Sequence, residues 1–139
     1  MPHLTIDYTA NLEATADMPG LCQRLCSVLT TLKDDAGGPL FPVAGTRVMA
    51  RPAPAFAVAD GQPDRAFIFI LARITAGRNA GTKQRAGDAL MAAAHAHLAP
   101  VFDTQALGLT LHIDEGAPVY EGKQNNMAAH LSKDPSPRT

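Results

Sequence analysis

Residues 66–74 have the sequence AFIFILARI, the strongest β-strand pattern in the chain. Aromatic, β-branched and aliphatic side chains fill almost every position, and polar, turn-forming residues flank the segment on both sides. A short apolar run with such boundaries predicts a β-strand. Because its apolar character is nearly continuous, the strand is expected to be covered on both faces. The fold is therefore expected to be built on a sheet that contains this segment.

Upstream of this segment the sequence predicts a strand and a helix. Residues 3–8 alternate, with Leu4, Ile6 and Tyr8 on one face, as in a half-buried strand. Farther on, the helical spacing of the apolar residues predicts a helix from about residue 18 to about residue 33. Asp17 is expected to cap this helix, with a proline in its first turn.

The remaining predicted elements complete this half of the chain and the next. Residues 41–49 are predicted to be extended and to lead into a strand, while the two prolines of residues 51–54 favour an edge strand or a loop. After a turn at residues 77–79, Thr82 is expected to cap a second helix that runs to about Leu98. Alternation over residues 107–114 predicts the last strand.

The order of elements predicts an α+β domain over residues 1–131. Two βαβ-like halves fit a two-layer arrangement, a four-stranded sheet with two helices on one face. One face of that sheet is then uncovered, which favours association with other copies. The final residues, 132–139, are rich in proline and polar side chains and are predicted to be a disordered tail.

Composition excludes several classes of protein. The 139 residues are 46% hydrophobic and 18% charged, and the net charge of −1 provides no basic footprint for nucleic acid or an anionic membrane. No apolar run approaches the length that crosses a bilayer. The N-terminus has neither a basic segment nor an apolar one, so no signal peptide is predicted and the cytoplasm is the expected location.

Metal and nucleotide chemistry find little support in the sequence. Cys22 and Cys26 lie on one face of the predicted helix among leucines, where core packing explains them better than a redox or metal role. His95 and His97 are two residues apart on a helix and point in different directions. Zinc-protease and paired CxxC motifs and glycine-rich phosphate loops do not occur, and the carboxylates are scattered. Neither a metal nor a cofactor is expected.

Pro2 is the first candidate for chemistry. Removal of Met1 would leave a secondary amine at the start of a strand, and an α-amino group ordinarily titrates near 8. Burial or a neighbouring cation lowers such a pKa towards the working pH, where a general base is most effective. A proline at position 2 also has a purely structural explanation, and its position by itself does not decide between the two.

Arg47 and Arg78 are the candidates for binding an anion. Arg47 follows a proline-marked turn, and Arg78 lies between a strand and a helix, where sites are commonly built. Guanidinium groups hold carboxylates through two parallel hydrogen bonds. Solvated arginines in loops are the alternative. The polar cluster at residues 123–126, KQNN, is suited to lining a site, although a simple turn explains it better.

These features together resemble the 5-carboxymethyl-2-hydroxymuconate isomerases of the tautomerase superfamily. The resemblance covers Pro2 to about Leu131 and rests on separated motifs that occur in order. They are MPH at the N-terminus, ADMPGL at 16–21, FPVAGTR at 41–47, ADGQ at 59–62, AGR at 76–78 and KQNN at 123–126. Their agreement in order makes the resemblance more specific than any one motif.

The resemblance implies a homotrimer whose sheets surround an axis, with an active site near each N-terminal proline. It implies that Pro2 acts as base on a dienol hydroxyl and returns a proton to carbon, without cofactor or metal. Arg47 and Arg78 would then hold carboxylate and enolate oxygens of an unsaturated dicarboxylate or tricarboxylate. The implied pathway is the catabolism of aromatic compounds through homoprotocatechuate.

Several alternatives stay open at this stage. Met49 occupies a position where the family pattern has a further arginine, and the loop at 33–40 is longer than the pattern; both put the exact substrate in doubt. Another tautomerase, a decarboxylase or a hydrolytic dehalogenase would use the same proline. A non-catalytic oligomeric binding protein could also retain the scaffold. Retention of Met1 would block the Pro2 amine.

Overall fold

The computed structural model describes residues 2–131, in which two β-α-β units follow one another and a short helix ends the described range. The strands are β1 (His3–Thr9), β2 (Arg47–Ala53), β3 (Ala66–Ile74) and β4 (Leu107–Glu115). The helices are α1 (Met18–Thr31), α2 (Ala80–Thr104) and α3 (Met127–Leu131), with 3₁₀ turns at Ala10–Leu12 and Val43–Gly45.

The four strands form one mixed sheet in the order β2-β1-β3-β4. β1 is parallel to β2, β3 is parallel to β4, and the two central strands β1 and β3 are antiparallel. Each parallel pair is joined by a helical crossover, as parallel pairing requires. This arrangement confirms the predicted α+β fold.

The core lies between one face of the sheet and the two long helices. Alternate residues of the central strands point into it, and the leucines of α1 meet them at helical spacing. The innermost apolar members, each with at most 1% of its surface exposed, are Leu4, Ile6, Leu12, Leu21, Leu25, Leu29, Ala66, Ile68, Ile70, Ala72, Leu90, Ala94 and Leu98. Burial of these aliphatic side chains is the main source of stability for the two-layer fold.

The opposite face of the sheet has no covering layer among the described residues. Phe67, Phe69 and Leu71 are only half-buried there, and Met49 is 59% exposed. The prediction that β3 is covered on both faces therefore holds only for its helix-facing side within one chain. The apolar character of the other side has no partner inside the described part of the chain.

The first helix is capped as predicted but is slightly shorter. Asp17 Oδ1 accepts a hydrogen bond from Gly20 N at 2.9 Å, which satisfies one of the free N–H groups of the first turn. The helix ends at Thr31 rather than near Lys33 because Leu32 is already extended, with φ −62° and ψ 141°.

The second helix begins and ends differently from the prediction. Asn79, not Thr82, is the cap: Asn79 Oδ1 accepts from Thr82 N at 2.8 Å. The helix also continues past Leu98 to Thr104 and includes Pro100. Burial of Val101 beyond the proline stabilises the extra turn and outweighs the hydrogen bond that a proline cannot donate.

Two smaller expectations concern the chain before β3. Residues 43–45 were expected to be extended but form a 3₁₀ turn, in which Gly45 N donates to Pro42 O and Thr46 N to Val43 O, both at 3.1 Å. Pro52 lies within β2, which is an edge strand. The edge alternative is therefore confirmed, since an edge strand tolerates the missing N–H.

Within residues 2–131, no helix combines the length and hydropathy needed to cross a membrane. The predicted tail at 132–139 lies outside the described residues.

Candidate active site

The start of β1 brings the first two predicted site residues together. Pro2 is buried, with less than 2% of its surface exposed, and its carbonyl oxygen accepts a hydrogen bond from Arg47 N at 3.2 Å. This bond extends the parallel pairing of β1 and β2 by one position beyond the His3–Arg47 pair. The backbone of Arg47 is thus fixed directly beside Pro2.

The side chain of Arg47 lies on the open face of the sheet against His3. Arg47 Nη1 is 3.4 Å from His3 Nδ1 and 3.3 Å from His3 Nε2. Partial burial, and then the charge of Arg47, lower the pKa of His3, so the imidazole is neutral at pH 7. Within residues 2–131 Arg47 forms no ion pair with a carboxylate, and its positive charge is not cancelled.

Arg78 is held in one orientation just after β3. Gly77 has φ 122°, a conformation that side chains other than glycine rarely adopt, and it turns the chain sharply before Arg78. The guanidinium donates from Nη1 to Thr75 O and from Nη2 to Leu40 O, both at 3.0 Å, and lies 4.7 Å from the centre of the Phe41 ring. Its remaining N–H groups are free to bind a carboxylate.

Arg47 and Arg78 lie in two adjoining clefts. A cleft of about 730 Å³ contains Arg78, and a second of about 480 Å³ contains Arg47 and His3. Pro42, Glu121 and Lys123 line both clefts and form the wall between them. Pro2 is not among the lining residues of either cleft, so the structure joins it to Arg47 through the backbone rather than through a shared cavity.

The KQNN cluster takes part in this wall. Lys123, Gln124 and Asn125 line the Arg47 cleft. Asn125 Nδ2 donates to Ala44 O at 3.3 Å, and its Oδ1 accepts from Met127 N at 2.6 Å at the start of α3. The simpler expectation of a turn missed this position, because a local pattern does not indicate which distant loop the segment will meet.

Sequence reasoning also missed Arg73, on the open face of the sheet, and Glu121, in the wall between the clefts. Arg73 pairs with His3 across β1 and β3, opposite Arg47. The alternation of β3 carried a signal for it, because Arg73 is the only charged residue in that strand. Glu121 had no local signal, since it lies in an irregular segment and belongs to the site only through the wall of the clefts.

The remaining candidates are the cysteines and the carboxylates that lie away from the two arginine clefts. No group of three or more His, Cys, Asp or Glu side chains among residues 2–131 is suited to a metal ion. Cys22 and Cys26 are free, half-buried thiols. Asp60 and Asp64 are exposed carboxylates that form ion pairs with Arg65, at 3.0 Å and 2.6 Å.

Comparisons with known proteins agree with one another. The family model of the 5-carboxymethyl-2-hydroxymuconate isomerases matches residues 2–131. A 5-carboxymethyl-2-hydroxymuconate Delta-isomerase of Escherichia coli is 33% identical over 129 residues, which cover 93% of this chain and 98% of that protein.

Two crystal structures are similar over nearly the whole chain. One is a 5-carboxymethyl-2-hydroxymuconate delta-isomerase, with a TM-score of 0.89 at 39% identity and coverage of 98% of this chain and 96% of that one. The other is a 5-carboxymethyl-2-hydroxymuconate isomerase from Deinococcus radiodurans R1, with a TM-score of 0.81 at 37% identity and coverage of 94% and 93%.

The mixed sheet with its helices on one face and a proline at the start of a central strand is the fold of the tautomerase superfamily, and the protein is an isomerase. Within that superfamily, the chain belongs to the 5-carboxymethyl-2-hydroxymuconate isomerase family. The resemblance drawn from its sequence motifs is confirmed.

Proposed function

We propose that this protein isomerises 5-carboxymethyl-2-hydroxymuconate from its dienol to its 2-oxo-3-ene form, with Pro2 as the general base and no cofactor. The observation that carries the proposal is the pairing of an N-terminal proline with Arg47, which has no carboxylate partner among the described residues. The family relationship supports the same substrate.

The base requires that Met1 be removed. In a peptide bond with Met1 the Pro2 nitrogen is an amide and cannot accept a proton, whereas the processed N-terminus is a secondary amine. That amine takes the proton of the 2-hydroxyl group as the C2–O bond becomes a carbonyl. The conjugated electrons move along the chain, and the proton is returned to C5, which leaves the double bond between C3 and C4.

The two arginines stabilise the charge that moves during this transfer. Arg78 is already oriented by two backbone carbonyls and the Phe41 ring, so little reorganisation is needed when it binds an anion. Arg47, whose guanidinium has no carboxylate partner within residues 2–131, lies beside Pro2 at the start of β1. We assign to these arginines the binding of a substrate carboxylate and of the developing enolate oxygen.

We further propose that the active form is a homotrimer in the cytoplasm that serves the catabolism of homoprotocatechuate. The open sheet face, with half-buried Phe67, Phe69 and Leu71, supports association. A light-scattering mass about three times the 14.6 kDa of one chain would support the trimer, and a monomer mass would contradict it.

The function is tested with protein whose intact mass shows loss of Met1. Isomerisation of 5-carboxymethyl-2-hydroxymuconate is followed by ultraviolet absorbance in the parent and in Pro2→Ala. Pro54→Ala is the matched control, since Pro54 is an exposed proline outside the site. We expect kcat to fall at least about a hundredfold in Pro2→Ala, as for loss of a general base, and to be unchanged in Pro54→Ala.

A processed, folded parent that does not act on this substrate would contradict the proposal. Activity on phenylenolpyruvate or a haloacrylate in its place would assign another reaction to the same proline. Equal turnover by the parent and Pro2→Ala would remove the base from the mechanism.

A further inference from the structure

The cations of the described chain fall into two groups. Five of them have a carboxylate partner within 4.0 Å: Arg51, Arg65, Lys83, Arg85 and Lys123. The others form no such ion pair within residues 2–131. They are Arg24, Lys33, Arg47, Arg73 and Arg78. Three of these five lie at the end of the sheet where β1 begins.

Arg73 is the member of that group without an assigned role. It pairs with His3 on β1, while Arg47 pairs with His3 from the other side, so all three side chains lie on the open face. Neighbouring strands are about 4.8 Å apart, which places the backbones of Arg47 and Arg73 roughly 10 Å from each other. Its register partner on β4 is Asp114, yet the two side chains form no ion pair.

The guanidinium of Arg73 extends towards the Arg78 cleft. A Cβ atom added to Gly116 would lie 3.4 Å from Arg73 Nη2, and Gly116 lines that cleft. The charge of Arg73 also contributes to the lowered pKa of His3, after burial and Arg47, so its field reaches the other cleft. Arg73 itself lines neither cleft, but it lies beside Gly116 of one and His3 of the other, and no carboxylate within residues 2–131 neutralises it.

We propose that Arg73 is a third anion-binding residue of this site and binds the carboxylate of the substrate's carboxymethyl arm. The inference rests on the proposed function. The muconate skeleton has a carboxylate at each end and the carboxymethyl arm adds a third. With Arg47 and Arg78 assigned to a carboxylate and to the enolate oxygen, Arg73 is the remaining guanidinium at this end of the sheet, and its pairing with the carboxylate of the arm is a charge-assisted contact.

This role makes a specific kinetic prediction. The carboxymethyl arm does not react, so its contact with Arg73 persists from the bound substrate to the transition state. Loss of such uniform binding raises KM and leaves kcat nearly unchanged. The effect must also vanish for 2-hydroxymuconate, a dicarboxylate that lacks the arm. Arg73 is thus a binding residue that sets specificity, not a catalytic residue.

The test compares the two substrates in processed parent protein, Arg73→Gln, Arg73→Lys and the control Arg24→Gln. Arg24 likewise has no carboxylate partner in the described part of the chain, but it lies on α1, outside both clefts. For 5-carboxymethyl-2-hydroxymuconate, we expect KM to rise about tenfold in Arg73→Gln, or about 1.4 kcal/mol, and to recover in part in Arg73→Lys. For 2-hydroxymuconate and for Arg24→Gln, we expect KM within about twofold of the parent.

Every other outcome would contradict either the Arg73 assignment alone or the proposed function as well. Equal rises of KM for both substrates, or a fall in kcat alone, would overturn the Arg73 assignment while the proposed function stands. A parent that isomerises neither substrate would overturn the proposed function, and the assignment with it. Melting temperatures of all variants show whether each is folded, and a folded Arg73→Gln with parental KM for both substrates would also refute the assignment.

Discussion

Strand β3 has an arginine just outside each end, and the two are bonded in opposite ways. Arg65, before the strand, donates from Nε and Nη2 to Asp60, both at 3.0 Å, and from Nη1 to Asp64 at 2.6 Å. Arg78, after the strand, donates only to backbone carbonyls among the described residues. One guanidinium is neutralised by acids of its own chain, and the other is fixed in place with its charge free.

The difference shows what makes an arginine available to a ligand. At the Arg65 end, hydrogen bonding to Arg65 lowers the pKa of Asp60, and the same contact raises the pKa of Arg65. The charge of Arg65 is therefore neutralised within the chain. At the Arg78 end, neutral carbonyls orient the guanidinium without cancelling its charge, which is how a preorganised anion site is built.

The largest expected effect comes from replacing arginine by lysine after β3, with the same replacement before β3 as its control. Arg78→Lys keeps the charge but loses the planar fork that meets two carbonyls and an aromatic ring. We expect kcat/KM for 5-carboxymethyl-2-hydroxymuconate to fall about a hundredfold. Arg65→Lys should remain within about twofold of the parent in the same assay. Similar losses of kcat/KM in Arg78→Lys and Arg65→Lys would show that the difference in bonding between the two arginines does not matter for activity.

A smaller loss is expected at Arg47, which is more exposed than Arg78 and whose guanidinium, among residues 2–131, is within hydrogen-bonding distance of the His3 side chain alone. Arg47→Gln should lower kcat/KM about tenfold, as for one charged contact. Arg51→Gln is the matched control, because Arg51 lies on the same strand and face but is paired with Asp7 at 3.2 Å. A larger effect in the control than in Arg47→Gln would contradict the assignment.

A substitution of Arg65, whose charge is neutralised by Asp60 and Asp64, should change stability rather than activity. We expect Arg65→Gln to lower the melting temperature at pH 7 with kcat/KM unchanged within about twofold. Since the pKa of Asp60 is lowered in the fold, its contribution to stability is present above its ordinary value of about 3.9 and is lost as pH falls through the folded value. The melting temperatures of parent and variant should therefore converge in acid, and a constant difference would count against the ion pair.

The smallest effect concerns His3, between the two unpaired arginines. Its pKa is lowered by burial and then by Arg47, so below about pH 6.5 the unfolded chain binds a proton that the folded chain does not. The free energy of unfolding should decrease as pH falls through 6.5 and level off below the folded pKa. Denaturant melts of the parent and His3→Gln at pH 7.5 and 5.5 test this, and the variant should have the weaker pH dependence. An equal dependence would rule His3 out as its source.

Much of the fold was predictable because the signals are local. The strand at residues 66–74 has the predicted bounds, and the Asp17 cap follows from a polar side chain at the start of an amphipathic helix. The errors occurred where distant packing outweighed local preference. Asn79 replaced Thr82 as cap, and burial of Val101 carried α2 through Pro100.

The site was predictable only in part, because most of it depends on strand register. The motifs led to Pro2, Arg47 and Arg78, but the position of Arg73 opposite His3 is visible only once β1 and β3 are paired. The same is true of Glu121 and Lys123, which meet the arginine clefts from an irregular segment far along the chain. No local sequence pattern indicates that these distant residues come close together in the fold.

The inner position of β1 has a consequence for how the protein is made. Strand β1 pairs with residues 47–53 on one side and with residues 68–73 on the other, all of which are synthesised after it. Such distant pairing delays closure of the sheet until more than half the chain has been synthesised. Throughout that interval Pro2 is unburied. An aminopeptidase that removes Met1 therefore has its best access before the sheet closes. An N-terminal affinity tag would extend the chain at this inner position, and the opposite terminus is the better place for one.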